Sequence, residues 1–337
     1  MKTILVTGIS GYLGLHIAME GIRRGYRIRG TVRSAGKASE VQAVFSEAEQ
    51  IPELFTADLL NPEGWSEAVA SCDAVMHVAS PFLIELPAHE DELIRPAVLG
   101  VKHVMEAAFS QGVSRIIQTS SIAAIVFGHE KQKSDFTEQD WTIPEGRNVS
   151  PYYKSKTLAE KAFWDFGRKH EEMKLTSICP GFVLGPLLSK DTGTSVEVLV
   201  RMMQGKYPGV PRLGFPCVDV RDVAALHWDA LEAESSTGKR YAAVAESLWF
   251  RQIASLLRDA APDFKSKVSN RELPDWFVRI FALFDKPTRM ILPELGFMAK
   301  IVSKAGEELG FRPRGMEESI RDSVESLFAR NIFQRQR

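Results

Sequence analysis

The sequence has few cysteines, almost no net charge and no long hydrophobic run. Cys72, Cys179 and Cys217 lack the paired spacing of a disulfide framework or a structural zinc site. The 42 Lys and Arg against 43 Asp and Glu leave a net charge of −1, which excludes the basic surface that general nucleic-acid binding requires. No segment approaches the roughly 20 apolar residues that span a bilayer. We therefore expect a soluble, cytoplasmic protein that holds no metal and has neither a nucleic acid nor a membrane as partner.

Short apolar runs alternate with helical patterns in the first half of the chain, which is typical of β-α-β units around a parallel sheet. The runs predict buried strands at residues 3–7, 27–32, 73–78, 115–119 and 175–179. Apolar residues at helical spacing predict helices at residues 13–24, 93–110, 152–169 and 316–330. The expected fold is α/β, a doubly wound parallel sheet of the Rossmann type with a smaller C-terminal lobe.

The regular alternation ends at about Pro180, after which prolines are scattered among short segments. We expect residues 1–180, with later segments at about 217–245, to form the Rossmann domain, and residues 181–337 to form mainly the substrate-binding lobe. The apolar stretch at 274–302 is expected to pack in the core or in a subunit interface rather than on a membrane. A monomer or a homodimer is expected.

A glycine-rich loop joins the first strand to the first helix, in the order Thr7-Gly8-Ile9-Ser10-Gly11-Tyr12-Leu13-Gly14. Glycines permit the tight turn and the close approach of a pyrophosphate, and the helix N-terminus offers unpaired N–H groups and the positive end of its dipole. The spacing is GxxGxxG, but its strand-turn-helix setting favours binding over a purely structural turn. The residues predicted to hold a dinucleotide are Gly8, Ser10, Gly11, Tyr12, Leu13 and Gly14.

A cation stands where an acidic residue normally meets the ribose 2′-OH of a dinucleotide. Arg33 lies at the end of the second strand, and Lys37 follows it by about one helical turn. A guanidinium fork beside a second positive charge suits a 2′-phosphate, and no Asp or Glu follows until Glu40. The sequence therefore predicts NADP(H) as the cofactor.

A tyrosine and a lysine share one face of the helix that begins after Pro151. Tyr152 and Lys156 are i,i+4 neighbours. Lowering a phenol pKa by about three units requires about 4 kcal/mol, and an ammonium about 5 Å away at an effective dielectric of about 20 contributes about 3.3 kcal/mol. The strand at 115–119 ends in Ser120-Ser121, so a serine hydroxyl at the ligand edge of the sheet could bind a substrate carbonyl. Both serines are candidates on spacing alone.

Together these segments resemble the extended short-chain dehydrogenase/reductases, and more narrowly the dihydroflavonol 4-reductase-like branch of aldehyde and ketone reductases. The segments that carry the resemblance are Thr7 to Gly14, Asp58-Leu59, His77 to Pro81, Thr119-Ser120-Ser121, Tyr152 to Lys156, Cys179 to Pro186, Val218 to Ala224 and Leu309 to Pro313. They follow the family's order over nearly the whole chain.

The resemblance implies that Tyr152 donates a proton, that Lys156 binds the nicotinamide ribose and lowers the pKa of Tyr152, and that Ser121 orients the carbonyl. Further cofactor contacts are implied for Asp58, Leu59, Ala79, Ser80, Thr119, Pro180 and Val183. Substrate contacts are expected from Pro81, Phe82, Ile122, Val126 and Tyr153.

Two departures separate this chain from the plant enzymes of the branch. Val126 stands about where dihydroflavonol reductases carry a polar residue, often Asn, and Asn148 to Tyr152 does not match the Asn-Trp-Tyr-Cys-Tyr signature of cinnamoyl-CoA reductases. The expected reaction is NADPH-dependent reduction of an aldehyde or ketone with apolar substituents. The alternatives are a nucleotide-sugar epimerase or dehydratase, a 3β-hydroxysteroid dehydrogenase, and a non-catalytic NADP-binding regulator.

Overall fold

A computed structural model describes residues 1–81, 89–130, 133–146, 149–284 and 286–335. The strands are β1 (Thr3–Thr7), β2 (Arg27–Val32), β3 (Glu53–Thr56), β4 (Ala74–His77), β5 (Arg115–Thr119), β6 (Asp135–Thr137), β7 (Lys174–Pro180), β8 (Phe182–Leu184), β9 (Gly214–Asp219), β10 (Lys239–Ala243), β11 (Glu246–Trp249) and β12 (Lys300–Val302). Seven of them form one parallel sheet in the order β10-β7-β5-β4-β1-β2-β3. The predicted Rossmann-type sheet is confirmed, because the order reverses direction beside β1.

Helices cover both faces of this sheet. They are α1 (Tyr12–Arg23), α2 (Ala35–Val44), α3 (Trp65–Val69), α4 (Asp91–Ser110), α5 (Pro151–Lys169), α6 (Gly193–Met203), α7 (Val220–Glu232), α8 (Phe250–Ala260), α9 (Asp275–Phe281), α10 (Lys286–Ile291), α11 (Ala305–Glu308) and α12 (Met316–Ala329). Alternate residues of β1 face opposite layers: Ile4 and Val6 pack with α1, α2 and α7, whereas Leu5 packs with α3, α4 and α5. Burial on both faces explains why the central strands read as continuous apolar runs.

Helix α5 carries the candidate catalytic residues Tyr152 and Lys156, and it begins where the sequence predicts. Pro151 occupies the first position, and the side chain of Ser150 accepts a hydrogen bond from the Tyr153 N–H at 3.3 Å. Proline suits a first helical position because its missing N–H would have no partner there, and serine is a preferred N-cap. This cap places Tyr152 and Lys156 in the first two turns of α5.

The chain after β7 builds smaller sheets and also returns to the large one. Strands β11, β9 and β8 form a three-stranded sheet, and β12 pairs with β6. Strand β10 adds to the edge of the large sheet in parallel with β7. A second apolar core joins α6, α8 and α12 to β8 and β9.

Most of the large apolar side chains around α9 do not pack in the core of this chain, although Val278 and Ala282 are buried. Trp276 is 64% exposed and Phe284 is 85% exposed, and Phe277, Ile280 and Phe281 are also exposed. Over the part of the chain that the structure describes, we find no helix with both the length and the apolar character to cross a membrane.

Candidate active site

Backbone atoms shape the loop between β1 and α1. Gly8 has a φ of +64°, and a Cβ on it would lie 2.8 Å from the Ala79 Cα. A Cβ on Gly14 would lie 2.5 Å from the Gly8 carbonyl oxygen. Gly11 caps α1 and has no side chain to accept the first N–H groups of the helix. These features leave the cradle of backbone N–H groups that a pyrophosphate needs.

Hydrogen bonds tie this cradle to the neighbouring strands. The Thr7 hydroxyl accepts from the backbone N–H groups of Val78 and Ala79 at 3.0 Å, and lies 2.9 Å from Nδ1 of His77. His77 is buried, and its pKa is lowered to about 4 by burial and then by the charge of Lys156, so the ring is neutral at neutral pH. This histidine is the hydrogen-bonded core residue that its position in a strand predicts.

Other predicted cofactor residues surround the cradle. Ser10 and Leu13 are half-buried beside it. The Tyr12 hydroxyl donates to the Gly185 carbonyl at 2.9 Å, so this side chain links α1 to the segment after β8 rather than facing the cradle. Thr31, which sequence reasoning missed, accepts from the Gly8 N–H at 3.0 Å.

The candidate 2′-phosphate residues lie at the end of β2. Arg33 is exposed and immediately precedes Ser34, the N-cap of α2. No side chain in the described ranges pairs with its guanidinium. Lys37 differs, because its Nζ lies 2.6 Å from a carboxylate oxygen of Glu40. Arg33 is therefore the cation that is available to a ligand.

Asp58 and Leu59 follow β3 at the same edge of the sheet. Asp58 is exposed, and its carboxylate accepts from the Leu60 N–H at 2.8 Å. Leu59 is half-buried, and its carbonyl lies 3.1 Å from Nδ1 of His103 on α4. These contacts hold the turn in place beside the ends of β1 and β2.

The structure brings Ser121, Tyr152 and Lys156 together. The Ser121 hydroxyl lies 3.5 Å from the Pro180 carbonyl and forms a hydrogen bond with Tyr152. The Lys156 Nζ lies 5.9 Å from the centre of the Tyr152 ring and donates to the Ser80 hydroxyl at 2.9 Å. Because Ala79 contacts Gly8, this link to Ser80 places the three side chains next to the cradle.

The protonation of this group differs from the expectation that Lys156 lowers the tyrosine pKa. Although 39% of Tyr152 is exposed, burial around its hydroxyl raises the pKa above its usual value, and the Ser121 hydrogen bond offsets only part of the rise. Burial lowers the pKa of Lys156 to about 8, against a smaller opposing effect of Cys179. At pH 7 the phenol is therefore protonated and the lysine is an ammonium.

The two candidate serines point in different directions. The Ser120 hydroxyl is buried and donates to the Glu160 carboxylate at 2.6 Å. The Thr119 hydroxyl lies 2.7 Å from Nε2 of His227 on α7, so it is also engaged inside the protein. Of the three hydroxyls, that of Ser121 lies beside Tyr152. The sequence alone did not distinguish Ser121 from Ser120.

The predicted substrate residues separate into two groups. Ile122 is half-buried directly after Ser121, and Tyr153 is half-buried with its ring centre 5.9 Å from that of Tyr152 and 3.5 Å from that of Phe127, on which it stacks. Val126 is only 4% exposed and packs in an apolar cluster with Phe136 and neighbouring residues. This apolar side chain is part of the core, and its packing contacts do not direct it toward Tyr152.

Four more predicted positions complete the surroundings. Pro180 is buried at the end of β7, and Val183 is half-buried in β8. Pro81 is half-buried after Ser80, whereas Phe82 lies outside the described residues. Glu294 was missed by sequence reasoning: it accepts a short hydrogen bond from the Tyr153 hydroxyl, and its 141-residue separation from Tyr153 leaves no spacing signal.

Comparisons with known proteins show the family of this chain. A family model described as "NAD dependent epimerase/dehydratase family" matches residues 4–243. A cinnamoyl-CoA reductase of Medicago truncatula is 30% identical, covering 97% of this chain and 95% of the relative. A dihydroflavonol 4-reductase of Arabidopsis thaliana is 31% identical, covering 78% and 70%.

A solved structure resembles the chain over nearly its full length. The crystal structure of Gre2 in complex with NADPH from Candida albicans has a TM-score of 0.82 and 27% sequence identity, covering 98% of this chain and 99% of that chain.

Proposed function

Because the chain belongs to the NAD dependent epimerase/dehydratase family, we propose that it reduces an aldehyde or a ketone to an alcohol with NADPH. It is an NADP-dependent oxidoreductase of the extended short-chain dehydrogenase/reductase type, like the reductases to which it is similar. The observation that carries the proposal is the meeting of Ser121, Tyr152 and Lys156 beside the glycine cradle.

The residues present fit a dinucleotide. The cradle admits no Cβ at Gly8 or Gly14, so backbone N–H groups can lie against a pyrophosphate. We assign the pyrophosphate to residues 8–14, the 2′-phosphate to Arg33 with help from Lys37, and the adenine to Asp58 and Leu59. The nicotinamide end is assigned to Ala79, Ser80, Lys156, Pro180 and Val183, with Thr119 contributing only through its backbone.

The protonation state suits a reduction. When bound, the cofactor supplies a hydride from nicotinamide C4. Tyr152 then donates its proton to the carbonyl oxygen; a phenol carries this proton at neutral pH, and the raised pKa of Tyr152 leaves that state unchanged. The Lys156 ammonium stabilises the phenolate that remains, and the Ser121 hydroxyl donates a hydrogen bond to the substrate oxygen.

We further propose a division of labour along the chain. Residues 1–180 with about 217–245 hold the cofactor, and the remainder of 181–337 forms most of the substrate surface. Pro81, Ile122 and Tyr153 are the candidate substrate contacts among the described residues. Val126 is left out of this set because it packs in the core.

Consumption of NADPH with a panel of aldehydes and ketones tests the proposal. We expect Tyr152→Phe to lower kcat by roughly 10²–10⁴, the usual contribution of a general acid, and to leave the Kd of NADPH nearly unchanged. Tyr26→Phe is a matched control because it also removes a tyrosine hydroxyl, one that binds the Glu232 carboxylate at 3.1 Å, and Tyr26 is not among the candidate site residues.

Two results would contradict the proposal. Tight NADPH binding without its oxidation by any carbonyl compound would favour a non-catalytic regulator. Turnover of a nucleotide sugar with no net change in cofactor would favour an epimerase or dehydratase.

A further inference from the structure

A buried carboxylate joins three elements behind the turn that carries Ser121. Glu160 of α5 accepts from Nε and Nη2 of Arg240 on β10 at 2.7 and 2.9 Å. The same carboxylate accepts from the Ser120 hydroxyl at 2.6 Å. Glu160 is fully buried, and the side chain of Arg240 is only 8% exposed. One side chain therefore connects the helix of Tyr152 and Lys156 with the residue that precedes Ser121.

Arg240 is held firmly on its other side. Its guanidinium carbon lies 3.8 Å from the centre of the Trp141 ring, and Nη1 donates to the carbonyls of Glu138 and Asp140 at 2.7 Å. A stacked ring and a two-point carboxylate contact together fix the plane of the guanidinium. The position of Glu160 is correspondingly fixed.

We propose that Glu160, held by Arg240, is a positioning residue that acts through Ser120 to aim the hydroxyl of Ser121 at Tyr152. This inference rests on the proposed role of Ser121 in carbonyl reduction. Ser120 is anchored twice, since its hydroxyl donates to Glu160 and its N–H donates to the Ile178 carbonyl at 2.7 Å. With Ser120 directed inward, the next residue can present its hydroxyl to the site.

The charge of Glu160 matters to this arrangement. Burial raises its pKa, but the Arg240 charge and the hydrogen bonds from Arg240, Ser120 and Ser177 together lower it below the usual value. The other groups that face it are uncharged: the Cys179 sulfur lies 3.9 Å away with a pKa raised to about 12, and Nε1 of Trp164 donates at 3.3 Å. Among the residues that the structure describes, Arg240 is the cation in contact with this carboxylate, and its charge keeps Glu160 ionised.

Loss of Arg240 should therefore leave a pH signature. In an Arg240→Ala variant the burial of Glu160 is no longer offset, so its pKa rises toward neutral pH. Ser120 then loses its ionised acceptor as the pH falls. We expect the kcat of the variant to decrease from pH 8 to pH 6 relative to that of the wild type.

The structure also permits a rescue experiment. Arg240 lines an open cavity of about 380 Å³ together with Trp141 and Trp164. Guanidinium ion, added at a concentration too low to denature the protein, can enter where the side chain was removed. We expect Arg240→Ala to lower kcat by roughly 10- to 100-fold, the loss expected when a reacting group is misplaced by about 1 Å. Guanidinium should restore most of it, whereas sodium chloride at equal ionic strength should not.

Arg115→Ala is the matched control. Arg115 is another partly buried arginine, but it binds Thr176 at 2.9 Å and Ser236 at 2.7 Å, away from Glu160. Its loss should lower the Tm without changing the pH profile of kcat and without rescue by guanidinium.

A second variant decides the question if Arg240→Ala does not fold. Ser120→Ala removes only the hydroxyl that Glu160 holds, and we expect its kcat to fall by at least about threefold, with the Kd of NADPH unchanged. Wild-type kcat in Ser120→Ala, or a folded Arg240→Ala with the wild-type pH profile, would overturn the positioning role. Failure of the wild type to oxidise NADPH would instead overturn the proposed function.

Discussion

At the proposed cofactor end of the site, backbone atoms shape the surface, whereas at the proposed substrate end side chains from distant parts of the chain shape it. The cradle depends on the distances from Gly8 to Ala79 and from Gly14 to Gly8, which leave no room for a Cβ. The surface beside Tyr153 depends on a ring stack with Phe127 and on a hydrogen bond to Glu294. The first end should therefore be sensitive to shape, and the second to charge and pH.

Among changes that act on the affinity for NADPH, the largest effect is expected in the cradle. Gly14→Ala places a methyl group 2.5 Å from the Gly8 carbonyl oxygen, so the loop must shift. Overpacking of this kind costs about 1–3 kcal/mol, which corresponds to a rise in the Kd of NADPH of up to roughly 100-fold. Equilibrium fluorescence titration measures the Kd of NADPH for the variant and the wild type.

Gly315→Ala is the control for that change. Gly315 has a φ of −67°, and a Cβ there meets no atom within 4 Å. Equal NADPH affinities of the two variants would show that the cradle does not bind the cofactor.

A smaller and more selective effect is expected at the end of β2. Arg33→Ala removes the unpaired cation, and hydrogen bonds to charged groups contribute about 1.5–3 kcal/mol, so the Kd of NADPH should rise roughly tenfold or more. The Kd of NADH should not change. Lys37→Ala should have less effect because Glu40 already pairs with that lysine. Equal losses for NADPH and NADH would contradict the 2′-phosphate assignment.

Lys156 lies between the two ends of the site, and its protonation is expected to make kcat depend on pH. Burial lowers the pKa of Lys156 to about 8, so the ammonium is present below that pH and is lost above it. Since the ammonium stabilises the phenolate, kcat should decline above pH 8 by roughly tenfold per pH unit. Lys156→Arg stays charged and should show no decline at that pH. A wild-type profile that is flat to pH 10 would remove this role from Lys156.

The same contrast explains how far the sequence could predict the molecule. Continuous apolar runs predicted β1 and β5, and Pro151 marked the start of α5, because these signals lie within a few residues of the element that they form. The convergence of a serine after β5 with Tyr152 followed from the rule that parallel strands bind ligands at their carboxyl ends, but this rule did not distinguish Ser121 from Ser120.

Contacts between distant residues gave no such signal. Glu294 and Arg240 reach α5 from the last third of the chain, and nothing in their local sequence distinguishes them from solvated charges. Val126 has the same apolar character whether it lines a pocket or fills the core, so only packing could place it. The apolar run around Trp276 predicted packing in the core or in a subunit interface, and the sequence could not tell which of its side chains the chain itself buries: Val278 is buried and Trp276 is exposed.

The smallest effect is expected at the substrate end, where Glu294 titrates. Burial raises its pKa to about 7, and the hydrogen bond from Tyr153 offsets only part of this rise. A carboxyl group with a raised pKa in the folded state favours folding at low pH, and this contribution is lost as the pH rises through 7. Glu294→Gln cannot ionise, so its Tm relative to that of the wild type should increase between pH 5 and pH 8, by roughly a few degrees. The Kd of NADPH should stay unchanged, because the cradle does not depend on this contact.

Tyr153→Phe is a second test of whether Glu294 titrates near neutral pH. It removes the donor that favours the ionised carboxylate, so the pKa of Glu294 should rise further and the wild-type stability change should move to higher pH. Thermal unfolding of the three proteins across this range measures both shifts. If the Tm difference between Glu294→Gln and the wild type were the same at pH 5 and pH 8, Glu294 would not titrate there, and the substrate end would not differ from the cradle in its response to pH.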